Sequence, residues 1–94
     1  MALMSAFFGP ENGEILALQG LAWLAGDSQG LQAFLNHSGL EPADLRQAAG
    51  SPEMAVAVLD FLLGHEELLR GFCQSADIAP KYLHLARASL GGAI

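Results

Sequence analysis

Ser51-Pro52-Glu53-Met54-Ala55-Val56-Ala57-Val58-Leu59-Asp60-Phe61-Leu62-Leu63-Gly64 reads as one helix with both ends marked. A serine before a proline is a start: the hydroxyl can accept a first-turn N–H, and proline's fixed φ and missing N–H suit the first helical position. Gly64 marks the stop. Between them the chain is apolar except for Glu53 and Asp60, and it is about half the roughly 20 residues that a membrane span needs. It therefore predicts a buried helix over residues 52–63, whose least apolar face carries Glu53, Ala57, Asp60 and Gly64.

The same punctuation recurs on both sides. Upstream, a helix over residues 13–25 has Asn12 as N-cap and Gly26 as its stop, and its least apolar stripe is Gln19, Ala22 and Gly26. Asp27 or Ser28 caps a second helix with Leu31, Phe34 and Leu35 on one face, ending near Ser38 and Gly39, and Pro42 opens a short third to about Ala49. Downstream, residues 66–76 carry the apolar stripe Leu68, Leu69, Phe72, Cys73 and Ala76, and Pro80 opens a last helix to about Ser89. The fold class is all-α: about six short helices in a compact bundle.

Laid over one another at an offset of 38 residues, the two halves agree at Ala17 and Ala55, Leu21 and Leu59, Leu24 and Leu62, Gly26 and Gly64, Phe34 and Phe72, and Pro42 and Pro80. Helix stops, helix starts and apolar face positions are what a repeated scaffold must keep. The pattern predicts a single domain over residues 1–94 built from two three-helix units. Residues 13–50 and 51–90 form the units, 1–12 an N-terminal arm and 91–94 a flexible tail. One unit alone buries too little, so the two pack together, with the two long helices at the centre.

Composition narrows the function classes. Of the residues, 52% are apolar and 15% charged, with a net charge of −6. A negative mean field repels phosphate backbones and anionic lipid, so neither nucleic acid nor a membrane is an expected partner. Cys73 is the only cysteine, which fits a reducing, cytoplasmic setting without disulfides. Residues 1–9 hold no Lys or Arg and run into Pro10, which argues against a secretory signal.

Several residues are candidates for chemistry. Asp60 interrupts an apolar helix; His65 stands at a helix start beside Glu66 and Glu67. Cys73 could pair with a histidine such as His84 or His37 if the fold joined them. Their spacings form no H-E-x-x-H, C-x-x-C or Ser/His/Asp pattern, so no catalytic group, metal or cofactor is expected. Lys81, His84 and Arg87 make one thin basic stripe, suited to acidic groups of this protein or of a partner. The better interaction candidates are apolar: Leu3, Met4, Phe7 and Phe8 ahead of Pro10, together with Trp23.

Leu18-Gln19-Gly20-Leu21-Ala22-Trp23-Leu24-Ala25, Gly39-Leu40-Glu41-Pro42-Ala43-Asp44-Leu45-Arg46, Val58-Leu59-Asp60-Phe61-Leu62-Leu63 and Gly71-Phe72-Cys73 together resemble a family of short alphaproteobacterial proteins, domain-of-unknown-function family 3572. The likeness runs over residues 14–90 and implies no activity, substrate or site. The residues themselves point to a small interaction or adaptor protein that binds another protein or itself as a homodimer. The alternative is a ligand-binding bundle or small enzyme with a pocket between the two units.

Overall fold

The computed structural model describes residues 10–90. They form six helices: α1 (Pro10–Ala25), α2 (Ser28–Ser38), α3 (Pro42–Ala48), α4 (Pro52–Leu63), α5 (Glu66–Ala76) and α6 (Lys81–Leu90). No strand occurs among the described residues. The expectations for Leu3, Met4, Phe7 and Phe8 and for the tail lie outside them. α1 begins at Pro10, three residues earlier than expected, which takes residues 10–12 from the arm. Proline at the first position needs no N–H partner, so the helix starts there and Asn12 falls inside it instead of capping it.

The ends are held by local chemistry. Ser51 Oγ accepts the Met54 N–H at 3.1 Å, and Glu41 N–H donates to Asp44 Oδ2 at 2.9 Å, holding the start of α3. α2 closes on Gly39 at φ 75° and α5 on Asp77 at φ 57°, both left-handed. Aspartate is one of the few side chains that tolerates that region. α2 and α5 begin and end 38 residues apart, Ser28 against Glu66 and Ser38 against Ala76.

α4 is the centre of the core. Met54, Ala55, Val56, Val58, Leu59, Phe61 and Leu62 are all buried. α1 packs along α4 and α6, α6 also touches α4, and α2 and α5 cover the outside of this triplet. The approach of α6 depends on Gly13: a Cβ there would lie 2.9 Å from Ser89 Oγ and 3.0 Å from the Ala86 carbonyl. At the other end of α1, the Trp23 ring lies over Gly71, where a Cβ would meet its Cζ2 at 2.9 Å.

The two long helices do not share the centre equally. α1 buries Leu16, Ala17, Leu21 and Leu24 but leaves Ile15 and Leu18 each 46% exposed. α6, with Leu83 and Ala86 fully buried, fills the third place in the core. α3 buries no residue and stands at the edge. Seven residues with only Leu45 and the alanines to offer cannot cover the outer side of α1.

Candidate functional site

The uncovered side of α1 is the wall of a groove. Ile15, Leu18, Ala22 and Ala25 follow one another along one stripe, all exposed and none charged. Leu31 of α2 and Pro42 and Leu45 of α3 form the facing side, enclosing about 450 Å³ with Arg46 as the one charged lining residue. The groove runs on past Leu18 to Ile15, Glu14 and Gly50. The least apolar stripe, Gln19, Ala22 and Gly26, is exposed as its composition predicts, but the open side of α1 also takes in the apolar Ile15 and Leu18, which composition does not single out. The available sign was the mismatch between a long helix apolar almost all round and a short third helix with few apolar residues.

A second cleft lies where residues of α2 and α3 meet α4. Leu40, Ala48, Met54 and Ala57 supply its apolar lining, with His37, Glu53 and Asp60 among the polar groups, and its volume is about 460 Å³. Asp60 is exposed, its side chain 51% accessible, and its Oδ1 accepts from Arg87 Nε at 2.8 Å. That bond engages the basic stripe of α6, on which Lys81 and His84 are exposed.

His65 is the N-cap residue of α5, with its ring on Phe61 at 4.2 Å between centroids. Its Nδ1 is 2.7 Å from the Phe61 carbonyl, which can only accept, so Nδ1 carries the hydrogen. His37 stands perpendicular to it at 5.8 Å, and also against Phe61 at 5.4 Å. Nothing in the spacing of the two histidines announced this meeting. Among the described residues no group of three or more His, Cys, Asp or Glu is placed to hold a metal ion.

Cys73 is buried in the core, and loss of hydration pushes its thiol pKa above the ordinary 9.0. Such a thiol is a poor nucleophile at neutral pH. Trp23 is half-buried, its ring 6.0 Å from Phe72, so it joins α1 to α5. No helix is long and apolar enough to cross a membrane among the described residues.

A family model described as "Protein of unknown function (DUF3572)" matches residues 10–93. No curated protein and no solved structure matches the chain.

Proposed function

Since the chain belongs to the DUF3572 family, whose function is unknown, we propose a function from its own surface: a small cytoplasmic protein–protein interaction domain whose groove between α1, α2 and α3 takes the apolar face of a helix. The observation that carries this reading is the 46% exposure of both Ile15 and Leu18 on a stripe whose four residues, these two with Ala22 and Ala25, are all uncharged. Isolated exposed leucines are ordinary, but a contiguous apolar face beside a groove is the kind of surface that amphipathic helices fill.

The test is affinity purification with the full chain and with Leu18→Glu, from the cell that makes it. A protein retained by the native chain, whether another protein or a second copy, is reduced at least about tenfold by the charged variant. Equal retention by both chains overturns the reading.

A second reading is favoured by the cleft of about 460 Å³ at the junction of the two halves, which combines an apolar lining with His37, Glu53 and Asp60. Sites of that make-up commonly hold small ligands. Native mass spectrometry separates the two: added mass of a small molecule supports the cleft, and a protein complex supports the groove.

A further inference from the structure

The exposed stripe of α1 has an order to it. Ile15, Leu18, Ala22 and Ala25 are spaced by three, four and three residues, which is the spacing of a and d positions along a heptad seam. The large side chains occupy the N-terminal half of the stripe and the small ones the C-terminal half. Two such stripes running in opposite directions put each a position against a d position. Ile15 then faces Ala25 and Leu18 faces Ala22, twice over. Every layer matches a branched side chain with an alanine, the alternation of large and small that fills an interface without voids or clashes. Parallel running would stack isoleucine on isoleucine at one end and leave a gap between alanines at the other.

We propose that the helix seated in the groove is α1 of a second copy, lying antiparallel to the first about a two-fold axis near Gly20. The proposal rests on the reading of the groove as a helix site and names its occupant. Such a contact is isologous, so the same patch serves both partners and the assembly closes at two. In it the partner's Ile15 arrives beside Ala25, at the part of the groove walled by Leu31, Pro42 and Leu45. The four a and d residues carry no charge, Glu14 and Arg46 border them, and each copy carries −6 overall. Mutual repulsion therefore weakens the pair at low ionic strength, and added salt strengthens it by screening. A basic partner would respond in the opposite direction.

Sedimentation equilibrium of the full chain tests this. The expected result is a mass that doubles with concentration and at lower concentration when salt is raised. Leu18→Glu shifts the midpoint at least about tenfold upward while far-ultraviolet circular dichroism stays the same. The register is read by oxidative cross-linking in a Cys73→Ala background. The Ile15→Cys/Ala25→Cys chain gives a covalent dimer; neither single variant does, because like positions sit about 15 Å apart at 1.5 Å per residue, beyond the reach of a disulfide. The same distance forbids closure within one helix.

A monomer at every concentration overturns the dimer. If Leu18→Glu still removes another protein in the affinity experiment, the groove reading stands with a different occupant; if it removes nothing, both readings fall. Residues ahead of Pro10 lying in the groove would likewise give a monomeric mass and no 15–25 cross-link. A dimer indifferent to Leu18→Glu, or one cross-linked through a single cysteine, overturns the antiparallel seam.

Discussion

Cys73 is protonated over a wider pH range in the folded chain than in the unfolded one, because burial disfavours its thiolate. The sign of the consequence follows from proton counting. Below pH 9.0, the ordinary value, both states hold the proton and the folded state keeps its full stability. As pH rises from there through the higher folded value, only the unfolded chain sheds it, and stability falls. Urea titrations across the alkaline range are expected to show this loss in the native chain and a shallower one in Cys73→Ala. The apolar setting of Cys73 was legible from its place on a helical stripe. Asp60 lay on the face that the period of its helix marked as wet, but its partner Arg87 lies 27 residues away and no local pattern connects them. As a partly exposed pair it adds little, up to about 1 kcal/mol. The meeting of His37 with His65 over Phe61 was hidden for the same reason: Phe61 and His65 are only four residues apart, but His37 comes from α2, on the far side of α3 in the chain.

Helix limits are set by chemistry within a few residues, which is why the spans of α4 and α5 could be read without coordinates. Ser51 and Pro52 open the first, and Gly64 lies directly beyond its end. Ser51→Ala removes the acceptor of the Met54 N–H at the start of the most buried helix, and is expected to cost about 1 kcal/mol in a thermal or denaturant melt. Where two start signals compete, local reading can choose the wrong one. Asn12 and Pro10 both qualify, and the proline prevails because its φ is already helical.

At the scale of the molecule, α3 and α6 carry matching apolar positions and have different fates. Leu45 is half-buried at the edge, whereas Leu83 is fully enclosed. Leu83→Ala is expected to cost about 2–5 kcal/mol and Leu45→Ala well under half of that, measured by denaturant unfolding. Equal losses would mean that the two helices are equally built into the core. The sequence pattern could not separate them, because the difference arises from distant packing. α6 reaches the centre through a backbone approach at Gly13, more than 60 residues earlier in the chain than the helix it admits. The open groove is the complement of that choice, since the helix that covers one side of α1 is not matched on the other.

Trp23, resting across Gly71 and against Phe72, is the only tryptophan in the chain. The protein's intrinsic fluorescence under tryptophan-selective excitation therefore has a single source, sited where the first helix meets the fifth. Its emission colour reports the wetting of that one junction, so an optical melt of the native chain follows the parting of α1 from α5 without any attached label.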